Sequence, residues 1–204
     1  MRAIRRLAYA YGRYNRERKA TFALQIAQHL DARSVLLIGV SDQAGSINNV
    51  VEARIAEHVP YVVASGLGLG GSTDWGTYVV ADGLRLPFRD HSFDLVYANA
   101  VIEHVGQEEE QRRLVSEAAR VGRAWIVTTP NRWFPVEAHY HTLISHWRVG
   151  WAPKGTVTRL LGIRELRELI PSGCVRGTPF FSPTLTAVGS SLDPVPDRTT
   201  RSQD

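Results

Sequence analysis

A stretch near the middle of the chain contains three polar side chains that are candidates for ligand binding or proton transfer. Asp82 and Asn99 each follow a short apolar run that predicts a buried strand. An ionised carboxylate only accepts hydrogen bonds, which suits recognition of amino and hydroxyl groups. Because the unperturbed histidine side chain titrates at a pKa of about 6.5, this residue type can serve as a general base near neutral pH, and His104 is a weak candidate for that role. Because open α/β sheets bind ligands where their strands end, we expect a site near Asp82 and Asn99.

The pattern also allows purely structural roles for these side chains. An aspartate after a strand frequently caps a turn, and a lone histidine beside apolar residues is more often a packing group than a catalyst. Both alternatives stay open for Asp82 and His104 at the level of the sequence.

The same stretch resembles the class I S-adenosylmethionine-dependent methyltransferases, in particular their methyltransferase type 11-like branch. It matches the order D-x-x-x-LPF-x-D-x-SFD-x-V-x-x-x-x-x-x-EH of that branch, and the resemblance extends more thinly from about Asn15 to about Gly189. The matching residues are Asp82, Leu86, Pro87, Phe88, Asp90, Ser92, Phe93, Asp94, Val96, Glu103 and His104.

The resemblance implies S-adenosyl-L-methionine as the cofactor and assigns residues to it. Asp82 would accept a hydrogen bond from the adenine amino group, and the backbone at Gly83 would contact the ring. Asn99 would form the floor of the cofactor site. Because the sulfonium already provides a leaving group, positioning can contribute much of the rate, and no base is required.

The first strand, the turn after it and the following helix form a nucleoside-binding unit. Ser34–Val40 predicts the strand and Ser46–Val59 the helix. The resemblance places Gly39, Val40 and Ser41 at the methionine end of the cofactor, although Leu37 replaces the acidic residue usual in the family and Ser41 replaces a glycine. A plain strand–helix connection is the alternative.

The second strand, Tyr61–Ser65, lacks the acidic residue with which the family holds the ribose. Gly66 and Leu67 stand there instead. The run GLGLGG from Gly66 to Gly71 satisfies the spacing of a dinucleotide fingerprint, which would make the chain a nicotinamide-dependent oxidoreductase. However, no helix follows that could hold a pyrophosphate, so a glycine loop is favoured.

The remaining pattern predicts an α/β fold, and the resemblance implies that it is doubly wound, with a mostly parallel seven-stranded sheet and an antiparallel hairpin at its edge. A basic helix over residues 1–30, interrupted near Gly12, precedes the first strand. Seven further elements follow the second strand. They are strands at Gly76–Ala81, Phe93–Ala98, Ala124–Thr129, Cys174–Phe181 and Pro183–Val188, and helices at Gln107–Val121, with Gly122 as its stop, and Arg164–Leu169. One domain over residues 1–189 and a disordered tail over 190–204 are expected.

The loop after the fifth strand predicts the substrate wall. Its polar and aromatic side chains near the expected substrate mouth are Asn131, Arg132, Trp133 and His139. Glu137, His139 and His141 could be interpreted as metal ligands, but no further ligand cluster supports this interpretation, and no metal is predicted.

Composition and charge restrict the class of protein and its partners. No apolar run is long enough for a transmembrane helix, one cysteine excludes an internal disulfide, and a cytoplasmic location is expected. Residues 1–20 contain seven basic residues against one acidic residue, a net charge of +6. The whole chain carries +4, so the remainder carries −2. The basic segment could contact an acidic substrate or the surface of a membrane weakly, whereas a solvated helix face is the more frequent use of such a pattern.

The sequence therefore predicts a methyltransferase that acts on a small-molecule or lipid-like acceptor and binds no nucleic acid. The altered glycine motif and the missing ribose acid favour one alternative, a non-catalytic binding module with the same fold. No oligomeric state is predicted.

Overall fold

The computed structural model describes residues 2–41, 49–69, 73–136, 144–147 and 157–190. Seven strands form one sheet in the order β3-β2-β1-β4-β5-β7-β6. The first five are parallel, whereas β7 pairs antiparallel with β5 and β6 antiparallel with β7. The strands are β1 Ser34–Ile38, β2 Tyr61–Gly66, β3 Thr77–Val80, β4 Phe93–Asn99, β5 Gly122–Pro130, β6 Cys174–Arg176 and β7 Thr184–Ser190. The predicted fold class is confirmed.

Helices cover both faces of the sheet. The long helix α1 (Arg2–His29) and the short helix α2 (Val50–Ala56) pack on one face, and α3 (Glu108–Val121) and α4 (Ile163–Leu169) pack on the other. Among these described helices, none combines the length and the apolar character needed to cross a bilayer.

Strand β4 lies at the centre of the sheet and contributes to both cores. Leu95 and Tyr97 point toward α1 and α2, whereas Val96 and Ala98 point toward α3. This alternation follows from the two-residue period of a strand, and both faces are apolar because helices cover both. Asn99 is the last residue of β4 and lies on the same face of the sheet as Leu95 and Tyr97. Its polar side chain follows these two on that face.

Several predicted boundaries differ from the structure. Gly12 does not interrupt α1, and α2 is described only from Val50 onward, since residues 42–48 lie outside the described residues. Strand β6 ends at Arg176 rather than at Phe181, because Gly177 (φ 124°) and Phe180 (φ 63°) leave the extended conformation. Ser190 is the last residue of β7, and the rest of the expected tail lies outside the described residues.

Gly122 ends α3 as predicted, but by a tight connection instead of a left-handed cap. Its backbone is extended and begins β5 at once. A Cβ at this position would lie 2.6 Å from the Val96 Cγ2 atom, so only glycine lets the chain turn so close to β4. This connection aligns β5 beside β4 without a loop.

Asp94 fastens the beginning of β1 to β4. Its Oδ2 atom accepts hydrogen bonds from the backbone N–H of Arg33 (3.0 Å) and Ser34 (3.1 Å) and from the Ser34 hydroxyl (2.9 Å). Burial raises the pKa of the Asp94 carboxyl, but the hydrogen bonds from Ser34 and Arg33 outweigh it, so the net pKa is lowered. The aspartate of the SFD motif is therefore a structural group at the amino edge of the sheet.

The LPF segment is tied to α3 by two charged side chains. Arg120 donates to the carbonyl oxygens of Leu86 (3.1 Å) and Phe88 (2.8 Å), while the Glu117 carboxylate accepts from the Leu86 N–H (2.8 Å). The Arg120 guanidinium also pairs with Asp90 at 2.8 Å. These contacts fix the chain between β3 and β4, which includes Asp82.

We expect Asp94→Asn to lower the free energy of unfolding at pH 7 by about 1.5 kcal/mol, because the hydrogen bonds lose their charged acceptor. A lowered folded-state pKa contributes stability above the unfolded pKa, and this contribution disappears as the pH falls through the folded pKa. The difference from the wild type should thus shrink between pH 7 and pH 3 in urea titrations. Asp74→Asn, at an exposed aspartate, is the matched control. An equal loss in both variants would contradict this role of Asp94.

Candidate functional site

The order of the strands defines where a ligand crevice forms. The chain progresses outward from β1 through β2 to β3 on one side, and from β4 to β5 on the other. The connections leave β1 and β4 in opposite directions, which opens a crevice at their carboxyl ends. Ile38 and Asn99 are the last residues of these two strands. The predicted cofactor segment Gly39–Ser41 follows Ile38 directly, and Asn99 is itself a predicted cofactor residue.

A buried cluster of polar side chains lies at this point and joins four elements of the fold. The Lys19 ammonium of α1 donates to the Asn99 Oδ1 atom at 2.7 Å, and the Thr128 hydroxyl of β5 donates to the same oxygen at 2.9 Å. Glu52 of α2 is only 5% exposed, and its carboxylate interacts with the Asn99 amide. We call Lys19, Glu52, Asn99 and Thr128 the switch-point cluster.

Burial disfavours the charged forms of Lys19 and Glu52, and the attraction between the two charges opposes this effect. Burial lowers the pKa of Lys19, against the attraction of Glu52 and Glu103. Burial raises the pKa of Glu52, against hydrogen bonds from its backbone and Asn99 and the attraction of Lys19. The Glu52 Oε2 atom is buried and has no hydrogen-bond partner among the described residues. A buried carboxylate oxygen in this state favours an additional donor, preferably a cationic one.

Burial also raises the pKa of Tyr97 well above its usual value, and the Glu52 charge adds to this effect. The phenol therefore stays neutral beneath the cluster. Its ring is buried in the core beneath α1 and α2.

The turn after β1 has a conformation that requires glycine. Gly39 has φ 77°, and a Cβ there would lie 2.3 Å from the Val101 Cγ2 atom. The N–H groups of Gly39 and Val40 both donate to the Ser65 carbonyl oxygen, at 2.8 and 3.0 Å. The Val40 side chain is buried in the core beneath α1 and α2. These contacts explain the shape of the turn, while cofactor binding by Gly39 and Val40 stays a prediction.

Ser41 is held by a side chain that the sequence pattern did not single out. The Asn49 side chain accepts from the Ser41 N–H at 3.0 Å and donates to the Ser41 carbonyl at 3.1 Å. Asn49 is buried and immediately precedes α2. Its side-chain amide pairs with the Ser41 backbone through two hydrogen bonds, as the backbone of a neighbouring strand would. The path of the backbone at Ser41 is therefore fixed. Contact of Ser41 with the cofactor stays a prediction.

The carboxyl end of β2 has no room for the acidic side chain expected there. A Cβ at Gly66 would lie 2.5 Å from the Val40 carbonyl oxygen and 2.6 Å from the Tyr78 hydroxyl oxygen. The Tyr78 phenol therefore occupies the volume that a longer residue at Gly66 would need. The described parts of the loop that follows, residues 67–69 and 73–76, contain no helix, which agrees with the expected glycine loop.

Asp82 lies at the mouth of the crevice, and Gly83 lies against its wall. The exposed Asp82 side chain accepts from the Leu84 N–H at 2.9 Å and so caps the turn, as the structural alternative predicted. A Cβ at Gly83 would lie 3.1 Å from the Ile38 Cγ2 atom and 2.9 Å from the Leu114 Cδ1 atom. The turn thus brings the Gly83 backbone to the end of β1. Adenine recognition by Asp82 and Gly83 stays a prediction.

The Glu103–His104 pair belongs to a short 3-10 helix (Ile102–His104) after β4. Glu103 is fully buried; its carboxylate accepts from the Thr129 hydroxyl at 3.2 Å, and its backbone carbonyl accepts from the Thr158 N–H at 2.7 Å. Glu103 therefore fastens the segment before α4 to the sheet. His104 is half-buried, with its Nε2 atom 3.9 Å from the Glu103 Oε1 atom. Its catalytic role stays a weak prediction.

The predicted substrate residues have different environments. Asn131 is buried, and its amide donates to the carbonyls of Thr178 (3.1 Å) and Ser182 (2.8 Å), so it organises the loop before β7. Arg132 pairs with Glu165 at 3.2 Å and lies over the half-exposed Trp133 ring at 5.4 Å. Substrate contact by these three residues stays a prediction.

His139, like Glu137 and His141, lies outside the described residues. Within the residues that the structure describes, no group of three His, Cys, Asp or Glu side chains is arranged to hold a metal ion.

The comparisons with known proteins agree with the fold. Residues 44–124 match the family model described as methyltransferase domain. This match covers the part of the chain that contains α2, β2, β3, β4 and α3. No match was found among curated proteins.

The chain is similar to solved structures at low sequence identity. One is the putative methyltransferase of Haloferax volcanii, solved in complex with the Trm112 methyltransferase activator. It has a TM-score of 0.53 and 14% identity over 89% of this chain and 95% of that one. Another is an S-adenosylmethionine-dependent methyltransferase from Methanosarcina mazei, with a TM-score of 0.50 and 16% identity over 78% of this chain and 92% of that one. The chain spans only 51% of another match, the YcgJ protein from Bacillus subtilis. At these identities the similarities show the fold.

Sequence reasoning missed three residues of the site: Lys19, Asn49 and Glu52. Two signals could have revealed Lys19 and Glu52. Lys19 is one of two lysines in a chain rich in arginine, and Glu52 stands on the otherwise apolar side of a predicted helix, between Val51 and Ile55. A carboxylate at such a position is buried when the helix packs, and it then needs a partner.

We expect Gly39→Ala to lower the free energy of unfolding of the protein by about 2 kcal/mol, from the positive φ and the clash with Val101. Adding Val101→Ala should restore part of the loss, since it removes the clash but not the backbone strain. Gly12→Ala is the control, because its nearest neighbour lies 3.9 Å away and alanine favours a helix. Chemical denaturation of the three variants measures this. A neutral Gly39→Ala would contradict the tight packing.

Proposed function

We propose that this chain is an S-adenosylmethionine-dependent methyltransferase in which the switch-point cluster holds the amino-acid end of the cofactor. The observation that carries the proposal is the half-buried Lys19 and the buried Glu52 around Asn99, at the carboxyl ends of β1 and β4. The amino-acid end of the cofactor is a zwitterion, and a fixed cation beside a fixed anion is complementary to it.

Each member of the cluster has a defined task in this proposal. The Lys19 ammonium donates to the carboxylate of the ligand, and the Glu52 Oε2 atom accepts from its ammonium group. Asn99, held in place by Thr128, keeps the two charges at a fixed separation. The cluster thereby replaces the acidic residue that is absent at Leu37.

The remaining binding groups follow the crevice toward β3. The backbone of Gly39, Val40 and Ser41 borders the middle of the cofactor, and Asp82 and Gly83 receive the adenine. When bound, the cofactor supplies a methyl group activated by a positively charged sulfur. The chain then has to orient the acceptor in line with that methyl group and exclude water.

The acceptor is proposed to be a small or lipid-like molecule that enters beside Arg132 and Trp133. The aromatic face of Trp133 offers apolar contact, and the Arg132 guanidinium offers hydrogen bonds to an anionic group. His104 is the weak candidate for accepting a proton from the acceptor. The proposed location is the cytoplasm.

A non-catalytic binding module is the second candidate, and the end of β2 favours it. Tyr78 and Val40 fill the space at Gly66, so no carboxylate from this position reaches a ribose. If the cofactor is bound without methyl transfer, this candidate explains it.

We expect S-adenosylhomocysteine to bind with measurable heat in isothermal titration, and Lys19→Met and Glu52→Gln each to weaken binding by about tenfold or more. Removing one partner of a charge-assisted contact leaves the other charge without compensation. Glu57→Gln, at an exposed glutamate on the adjacent C-cap of α2, is the matched control. An absence of heat with folded protein at high concentration would remove the proposal. Normal binding without transfer to a panel of acceptors would favour the binding module.

The affinity for S-adenosylhomocysteine should also depend on pH in a direction set by the cluster. The pKa of Glu52 is raised above the ordinary value of 4.5, so the carboxylate becomes protonated and stops accepting from an ammonium group at a higher pH than usual. The pKa of Lys19 is lowered below 10.5, so its charge is lost earlier on the alkaline side. Affinity should fall in both directions from neutral pH. Glu52→Gln should abolish the acid decline, and a decline that persists in this variant would exclude Glu52 as its cause.

A further inference from the structure

The exposed large apolar side chains of the described residues lie almost entirely at one edge of the sheet. Eleven such side chains are more than one-third exposed, and ten of them lie at the carboxyl ends of the parallel strands. The ten are Tyr14, Val50, Leu67, Leu69, Val80, Trp133, Ile144, Trp147, Phe180 and Phe181. The exception is Tyr61, the first residue of β2, at the amino edge. We call the ten residues the apolar edge.

Both aliphatic and aromatic side chains of the apolar edge are highly exposed to solvent. Leu69 is 91% exposed, Phe181 84% and Leu67 75%. Single exposed apolar residues are ordinary on protein surfaces, but their concentration on one side marks an interaction surface.

Part of the apolar edge is held rigidly in its outward position. The rings of Trp133, Trp147 and Phe180 have centroids 5.9 to 6.4 Å apart. The buried Asn131 side chain binds the carbonyls on both sides of the Phe180–Phe181 turn, and Phe180 adopts φ 63°. The fold maintains an unfavourable backbone conformation there and exposes two phenylalanines with it.

A basic helix extends past the same edge. The Asn15 side chain of α1 donates to the hydroxyl of Thr184, which pairs with Pro130 at the carboxyl end of β5. The helix runs from this edge toward the amino edge, so residues 2–14 continue outward for about 20 Å at 1.5 Å per residue. They include Arg2, Arg5, Arg6 and Arg13 and no acidic residue.

We propose that the apolar edge and the beginning of α1 dock on the surface of a bilayer that contains anionic lipid. The leucines and phenylalanines enter the boundary between headgroups and acyl chains, and the arginines pair with lipid phosphates. Tryptophan side chains are well suited to this depth, since one part of the ring is apolar and the other donates a hydrogen bond. The crevice with the switch-point cluster then opens toward the membrane.

The chemistry of the edge favours lipid over nucleic acid. Bases stack on aromatic rings and arginine, but Leu67, Leu69, Ile144, Val50 and Val80 offer them nothing comparable. Aliphatic side chains gain free energy when they leave water for acyl chains. The positive charge is complementary to the anionic headgroups, and the aliphatic and aromatic surface is complementary to the acyl chains.

Vesicle sedimentation of the full chain, without cofactor, tests the docking independently of methyl transfer. We expect binding to phosphatidylcholine vesicles with 30% phosphatidylserine, on the order of a physiological anionic content, and much weaker binding to phosphatidylcholine alone. Leu69→Ser with Phe181→Ser should weaken binding by about tenfold. Vesicle binding should also weaken in the triple variant Arg2→Gln, Arg5→Gln and Arg6→Gln, by about fivefold for each arginine that reaches the vesicle surface.

Tyr61→Ser is the matched control, since it removes an exposed aromatic side chain from the opposite edge, and it should leave vesicle binding unchanged. Thermal melting checks that each variant is folded. An equal loss for Tyr61→Ser, equal binding to neutral vesicles, or no binding to anionic vesicles would overturn the proposal. Nucleic acid would replace lipid as the partner if the protein bound a fluorescent single-stranded RNA in a salt-sensitive way and did not bind vesicles. Self-association would replace it if the protein formed a concentration-dependent dimer that buries the edge.

Discussion

The burial of Lys19 and Glu52 on either side of Asn99 is the constraint on which the arrangement of the carboxyl edge depends. A charge that is removed from water without a partner is destabilising, so the two charges stabilise each other in this position. Because the two charges come from different helices, α1 and α2 have to lie on the same face of the sheet. Asn99 has to end β4 at the level where both side chains arrive.

The residues that carry the sequence resemblance divide into two groups in the structure. Asp94, Asp90 and Leu86 fasten strands and loops, and Glu103 fastens the segment before α4. Asp82 alone projects toward the mouth of the crevice, where it caps its own turn. A sequence motif can therefore identify a family through residues that shape the scaffold, while the groups closest to a ligand come from elsewhere in the chain.

The two edges of the sheet are finished in different ways. At the amino edge, the Asp94 carboxylate satisfies the N–H groups that begin β1. At the carboxyl edge, buried charges lie below a surface of exposed apolar side chains. This contrast is what a protein needs when one edge only closes the fold and the other receives ligands and partners.

The local pattern of the sequence determined the strands, the larger helices and the fold class, because apolar runs and their periodicity follow directly from which faces are covered. It also identified Gly39 and Asp82 as special, since glycine and aspartate mark particular backbone conformations. The tertiary structure alone decided that Lys19 meets Asn99 across 80 positions of the chain and that Tyr78 fills the space beside Gly66. Such contacts depend on how helices and strands are placed in three dimensions, which no local spacing encodes.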